Sequence, residues 1–505
     1  METDEKSVIV IGAGFAGLAA GIYARLNGYS ARIFEMHNQP GGLCTSWNRK
    51  GFTFDGCIHW LVGSSPRSGM HDLWEETGII QGRQFINMDE YFRVEDHATG
   101  RTLIFHTDVD QLEKHLIEFS PQDRRAIKEF TDGIRMCLIF DSPSKHDSFF
   151  TKLRKRTAMA SFFITRGKTL QKWMHTTAAQ FSGRFEDPVL REAFLQMWIP
   201  EFSMFFMLFT FAYLHNRNAG YPLGGSKPMS EAMESRFKDL GGEIFYNSRV
   251  TKILTDGNRA TGIRLEDGTE MHADRIISAA DGHSTLFGML DDKFGDDRTR
   301  MPYTDWVTFP PLIYISLGVN RRFDDMPRSV SGFTFRLSEP VAIAGKFRSW
   351  LPVHIYNHDS TLAPSGKTAV VVMLESDYDY WKALEGDRNK YLEKKDEIAG
   401  IVISLLGQQF PGISADIEVT DVATPLTFER YTGNWKGSFE GWLITPSNSG
   451  VILKPMSQKI AGLENFYMCG QWVEPGGGLP TAVMSGKRLI KAICREDGKK
   501  FRSEA

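Results

Sequence analysis

Cysteine is scarce and unpatterned in this chain. The five present, Cys44, Cys57, Cys137, Cys469 and Cys494, are odd in number and show no CxxC spacing. That argues against a disulfide frame and offers no zinc-type ligand set, so reduced thiols and no metal site are expected. Long apolar runs are missing too. The most apolar stretch, Phe202 to Leu214, is thirteen residues, whereas a bilayer-crossing helix needs about twenty. A buried helix, a pocket wall or an element dipping into one leaflet all stay open for it. Charge of one sign is absent as well. With 59 basic and 62 acidic residues there is no general polyanion-binding face, and nucleic acid is not an expected partner. The first seven residues are polar and run straight into an apolar strand, with no room for a secretory leader. A cytoplasmic protein is the expectation. No repeat or low-complexity tract interrupts the 505 residues, which suffice for two or three domains.

What is present starts near the amino end. The apolar run Val8-Ile9-Val10-Ile11 meets Gly12-Ala13-Gly14-Phe15-Ala16-Gly17, and a second run, Ala31 to Phe34, ends on Glu35. Strand, glycine turn, helix, strand and acid together form the dinucleotide fingerprint. Gly12 permits the tight turn, Gly14 lets amides approach a pyrophosphate, and Gly17 allows close helix packing. The helix amino terminus faces the phosphates, and Glu35 accepts from a ribose hydroxyl. Just downstream, Pro40-Gly41-Gly42-Leu43 supplies a second piece of backbone to close over the same pyrophosphate. A glycine pair so soon after the acid favours FAD over NAD, and no second fingerprint appears for a nicotinamide nucleotide.

Nucleotide-type patterns then stop and resume. Residues 76 to about 220 carry mostly helical periodicities and an excess of Phe and Met. A glycine turn and helix follow from Tyr221, then strand-like runs from Glu243 to Ser278 with turns at Asp256-Gly257 and Asp267-Gly268. The expected class is α/β: a Rossmann-like FAD domain of the two-dinucleotide-binding type with an inserted α+β substrate domain. Its pieces run 1–75, 221–300 and 441–505 for the FAD domain, and 76–220 and 301–440 for the substrate domain. Near the carboxyl end, Gly470-Gln471-Trp472-Val473-Glu474-Pro475-Gly476-Gly477-Gly478-Leu479-Pro480-Thr481 reads as a nest of amides at a helix amino terminus. Aimed at a flavin's N1–C2=O edge, such a nest would stabilise negative charge on reduction.

With these motifs in place, the chain resembles the phytoene desaturase superfamily, which includes carotenoid desaturases, carotenoid isomerases and retinol saturases. The resemblance spans nearly the whole chain, through IGAGFAGLAAGIYARLNGYSARIFE, PGG with GFTFDGCIHW, YPLGGSKPMSEAM, TPLTFERYTGNWKGSFEGW and GQWVEPGGGLPTAVMSGK. It implies a flavin amine oxidase-like architecture. It places FAD on Gly12, Gly14, Phe15, Ala16 and Gly17, on Glu35 and Met36, and on Gly41, Gly42 and Leu43. His59 and Trp60, the backbone at Val250, and Gly470, Gln471, Gly477, Gly478, Leu479 and Thr481 complete the set. Gly56-Cys57-Ile58-His59-Trp60 stands where many desaturases have a Gly-Pro-Thr type sequence, and is closer to the retinol saturase branch.

The implied chemistry is hydride transfer at flavin N5 to or from a carbon–carbon double bond of a carotenoid, retinoid or other isoprenoid lipid. The external electron donor or acceptor is not indicated. His59 is the expected proton donor or acceptor and Glu474 the second candidate. His215, His354 and His358 read as structural or exposed, and Asp55 as a backbone hydrogen-bonder without a chemical role. Basic residues among aromatics over 149–214 also fit peripheral contact with a membrane. Two other classes share the features: a flavin amine oxidase, and a non-catalytic prenyl-binding or escort protein.

Overall fold

The computed structural model describes residues 5–452 and 454–504; Met1–Asp4 of the polar lead-in, Leu453 and Ala505 lie outside them. The run Val8–Ile11 is buried on both faces, which is what a continuous apolar strand of a parallel sheet requires. It lies at the centre of five parallel strands ordered Glu243–Phe245, Ser30–Phe34, Ser7–Ile11, Arg275–Ser278 and Phe466–Met468. Side chains alternate across the sheet. Val8 and Val10 join the core that includes helix Phe15–Leu26, while Ile9 and Ile11 pack with Val250, Ile253 and Ile263. Those last three belong to an antiparallel sheet of Val250–Asp256, Arg259–Leu265 and Glu270–His272.

Register decides where the motifs emerge. Ile11 lies opposite Phe34 and Ser278, Phe34 opposite Phe245, and Ser278 opposite Met468. The residues that follow these strand ends, Gly12, Glu35 and Cys469-Gly470, therefore leave the sheet together at its carboxyl edge. That edge is where open α/β sheets bind ligands.

A second, seven-stranded sheet runs in the order Ile417–Ala423, Leu312–Val319, Thr368–Glu375, Lys346–Ile355, Phe333–Ile343, Glu90–Asp96 and Arg101–His106. The last two strands come from the stretch read as mostly helical. Alternate burial of Phe92, Val94, Leu103 and Phe105 holds them there, and Glu90–Asp96 pairs in parallel with Phe333–Ile343. Helices fill most of the rest of that stretch. Met204–His215 covers most of the apolar run from Phe202 and is buried on nearly every side, so that run is a core helix. Helix Phe149–Met174 differs: it buries Phe162, Leu170 and Trp173 but exposes Phe149, Phe150 and Ile164. Among the described residues no helix is long and apolar enough to cross a membrane.

Candidate functional site

At the carboxyl edge of the parallel sheet the fingerprint folds back on itself. Gly12 has φ +96° and donates its amide to Phe34. A Cβ on Gly17 would strike the Gly12 carbonyl oxygen, so helix Phe15–Leu26 could not sit this close with any other residue there. Phe15 and Ala16 are buried beneath the turn. Gly14 is the extended residue before the helix, and a Cβ there would meet nothing within 4 Å. Open space beside a helix amino terminus fits a pyrophosphate.

The glycine pair packs directly on this turn. Gly41 donates to the Ala13 carbonyl at 2.9 Å and bridges Gly14 in parallel fashion, with Gly42 against the Gly14 backbone and Leu43 part-buried beyond. Glu35 is buried, and its two oxygens accept from the Ala13 amide at 2.7 Å and the His37 amide at 2.8 Å. Burial pushes its carboxyl up, opposed by those amides. Each oxygen keeps a second lone pair for a ribose hydroxyl. Met36 follows with its sulfur facing Gly433, and Val250 opens the small sheet just after Ser248 donates to the Glu35 carbonyl.

The carboxyl-terminal motif closes the other side. Gly470 packs on Ala16 and donates to the Ser485 hydroxyl at 3.0 Å, and Gln471 donates to Asn434 at 3.0 Å. Gly476, Gly477 and Gly478 all have positive φ, leading into helix Leu479–Glu496. Thr481 donates its hydroxyl back to the Gly477 carbonyl at 2.6 Å. Sequence reasoning missed one participant. Glu440 lays its carboxyl against Gly477 and accepts from the Gly478 amide at 3.0 Å, so the nest already faces an acid. Burial raises that carboxyl to about 7, opposed by the Gly478 amide. Glu474, the second proton-transfer candidate, lies in an ion pair with Arg488, whose Nη1 donates to Oε1 at 3.1 Å.

His59 sits beyond a loop pinned by Asp55. The Asp55 carboxylate accepts from the Cys57 and Ile58 amides, each at 2.9 Å, and from the Ser226 hydroxyl at 2.7 Å. The backbone-bonding role read for Asp55 thus takes the form of a clamp between two loops. His59 is part-buried, its Nδ1 is sealed from solvent, and burial lowers its imidazole to about 4. Trp60 beside it meets Tyr91 edge-on at 5.8 Å, and Tyr91 meets Phe211 of the core helix at 4.9 Å. Farther along the same helix, Phe206 reaches Gly476, next to Phe202, Phe309 and Ile444. One apolar helix therefore links the histidine loop to the glycine nest.

The other histidines divide. His215 accepts from the Val109 amide at 3.2 Å beside Asp108, a structural use. His354 and His358 are both buried, and the His354 ring lies 4.7 Å from that of His59. Their sequence offered no signal for this, because only the packing of the large sheet against the cofactor loops brings them to His59.

The chain is 26% identical over 510 residues to the phytoene desaturase (lycopene-forming) of a Paracoccus species, covering 97% of each protein. It is 25% identical to the chloroplastic prolycopene isomerase of Arabidopsis thaliana, over 97% of this chain and 83% of that one. Among solved structures, a putrescine oxidase variant superposes with a TM-score of 0.62 at 15% identity, over 97% of this chain and 99% of that one, a likeness of fold. The family model described as flavin containing amine oxidoreductase matches residues 15–493. With a dinucleotide cradle built from three separate parts of the sequence, the chain belongs to the flavin-containing amine oxidoreductase family, and its cofactor is FAD.

Proposed function

We infer that this protein forms, saturates or isomerises carbon–carbon double bonds in a long apolar polyene or isoprenoid lipid. The observation that carries the reading is the core helix Met204–His215, whose Phe211 packs on Tyr91, which in turn meets Trp60 beside His59, and whose Phe206 reaches Gly476. An apolar wall spanning both ends of the cofactor cleft suits an extended hydrocarbon. Relatives named as phytoene and diapophytoene desaturases and a prolycopene isomerase, matched over 83–97% of their length, support it.

When bound, FAD supplies the hydride donor or acceptor at N5. The protein's own residues hold and shield. Gly14, Gly41 and Gly42 would take the pyrophosphate and Glu35 the ribose. His59, neutral at pH 7, carries one N–H and one lone pair, so it can take up or pass on a proton at a sealed position. Glu474, bound to Arg488, is given a structural role.

The same reading includes a bilayer. At about 100° per residue, Phe149, Leu153, Ala160, Phe163 and Ile164 share one exposed face of helix Phe149–Met174, with Arg156 set among them and Lys168 and Arg154 to one side. An exposed apolar face with cations on and beside it matches an anionic lipid surface, which would also be the source of an apolar substrate.

The test is to incubate the FAD-loaded protein, oxidised and then anaerobically reduced, with carotenoids and retinoids. Product mass and retention time are read for each. A product one hydrogen pair richer or poorer, or isomerised at constant mass, is expected. Unchanged polyenes, with hydrogen peroxide formed from an amine, would overturn the reading.

A further inference from the structure

All five cysteines are free thiols, and two of them face each other on the cofactor loops. Strands Ser46–Arg49 and Phe52–Asp55 form a hairpin whose two-residue turn, Lys50 and Gly51, has φ +49° and +88°. Positive φ at both turn residues matches the strand twist and fixes the register. Ser46 lies opposite Asp55, and one rung on the Gly56 amide donates to the Thr45 carbonyl at 3.0 Å. The next rung sets Cys44 opposite Cys57. Antiparallel rungs alternate, so the rung after a hydrogen-bonded one turns its amides away from the partner. Both cysteines obey this: the Cys44 amide donates to the Gly41 carbonyl and the Cys57 amide to Asp55. Such a rung holds its Cα atoms about 4.5 Å apart with both side chains on one face. A disulfide bridges about 4.4–6.8 Å. The Cys44 thiol accordingly lies against the Cys57 thiol, with Asp55 and Ser226 beside them.

The two thiols are unequal. Cys57 is part-exposed, whereas Cys44 is 3% exposed, and burial, then Cys57 and Asp55, push the Cys44 thiol up. An oxidant from solvent therefore meets Cys57 first, and Cys44 is the thiol placed to answer. The other three stand apart. Cys137 ends helix Arg124–Cys137, Cys494 lies inside helix Leu479–Glu496, and the Cys469 thiol donates to the Ala16 carbonyl at 3.8 Å; all three are buried. Position gives the pair its consequence. Cys44 closes the turn begun by Gly41 and Gly42, which packs over Gly14, and Cys57 opens the segment leading to His59.

We propose that Cys44 and Cys57 are a redox-sensitive modification site: a peroxide closes them into a disulfide that ties the glycine-pair turn to the His59 segment and holds FAD in its cradle. Peroxide transfers one oxygen atom to the Cys57 sulfur, releasing water and leaving a sulfenic acid. The Cys44 sulfur then attacks it. The S–S bond forms, the S–O bond breaks, and the departing hydroxide takes up the Cys44 proton as a second water. Two thiols and one hydrogen peroxide thus give one disulfide and two waters, with two electrons passing from sulfur to peroxide. A thiol reductant reverses the bond. To leave, FAD must part from Gly41 and Gly42, and a cross-link between the loops restrains that opening.

The experiment treats the FAD-loaded protein with hydrogen peroxide, alkylates it unfolded, and digests it with trypsin without reductant for mass spectrometry. Cleavage after Arg49 and Lys50 puts Cys44 and Cys57 on separate peptides. They are expected to appear linked, with Cys137, Cys469 and Cys494 alkylated as in untreated protein. FAD release, followed by the rise in flavin fluorescence on dilution, should slow at least about tenfold after peroxide and recover with dithiothreitol. Cys57→Ser should release FAD at the untreated rate with or without peroxide. Should that variant hold no FAD, the dithiothreitol reversal in the wild type supplies the same comparison. Cys44 still alkylated after peroxide, or linked to another cysteine, overturns the pair. A Cys44–Cys57 disulfide that leaves FAD release unchanged, or a slowing that persists in Cys57→Ser, overturns its hold on the cofactor.

Discussion

Asp55 and Ser226, 171 positions apart, are joined twice: the Ser226 amide donates to Asp55 Oδ2 at 2.5 Å and its hydroxyl to Oδ1 at 2.7 Å. Through this clamp the loop that carries His59 is held to the start of helix Lys227–Asp239. In Asp55→Asn, the side-chain NH2 must either face the Ser226 amide or displace the acceptor used by Cys57 and Ile58. One buried donor is then left unpaired, at about 1–3 kcal/mol. We expect the variant to lose that much stability in urea denaturation and to purify with less flavin per chain. Full flavin content and an unshifted midpoint would show that the clamp positions nothing.

Glu440 gives the cofactor site an acid where an uncharged nest was expected. Its carboxyl, raised to about 7 by burial, is charged above that pH and neutral below it. A negative charge at the nest opposes the charge that gathers on a reduced flavin. Glu440→Gln should therefore raise the two-electron midpoint potential by about 30 mV at pH 8, tenfold in the reduction equilibrium. Below pH 6 the two proteins should converge. Potentials that differ equally at both pH values would place the carboxyl away from the flavin.

The histidine cluster links stability to pH with a definite sign. All three imidazoles are held below the ordinary value of about 6.5 by burial, His59 and His358 at about 4. Between those values the unfolded chain binds more protons than the folded one. Their contribution is thus complete above pH 6.5 and is lost as the pH falls toward 4. Asp281 and Glu440, with raised carboxyls, work in the opposite direction. The informative quantity is therefore a difference: His354→Phe/His358→Phe should gain on the wild type by up to about 1.4 kcal/mol per histidine per pH unit from pH 6.5 to 4.5. Parallel urea-denaturation curves across that range would mean that these imidazoles titrate normally.

What could be read beforehand follows locality. Val8–Ile11, the glycines and Glu35 lie within thirty residues, so spacing alone announced a nucleotide turn, and the strand register places them on one edge. Glu440 carries no local mark, since its role rests on Gly478, 38 positions away. His354 and His358 sit in Val-His-Ile-Tyr-Asn-His, which looks like a strand end with polar residues turned outward. Their burial appears only when that strand packs against the His59 loop. Strands Glu90–Asp96 and Arg101–His106 were likewise hidden, because their place depends on pairing with Phe333–Ile343.

Helix Phe149–Met174 supports the last prediction. Phe149, Phe150 and Ile164 are 74%, 80% and 85% exposed, an arrangement that leaves large apolar side chains in water. Sinking each into the acyl boundary is worth about 1.5–3 kcal/mol when complete, and the cations on and beside that face add an attraction that salt screens. Vesicles containing phosphatidylglycerol should float with the wild type at low salt and with less of it at high salt. Phe149→Ser/Phe150→Ser/Ile164→Ser should lower the bound fraction at least about tenfold, while flavin content, set at the far glycine loops, stays unchanged. Replacing Arg154, Arg156 and Lys168 with Gln should remove the salt dependence but only part of the binding, because the apolar stripe remains. Equal flotation of wild type and triple Ser variant would locate any membrane contact elsewhere. No flotation of the wild type at low salt would leave the stripe without its lipid partner and sink the bilayer proposal.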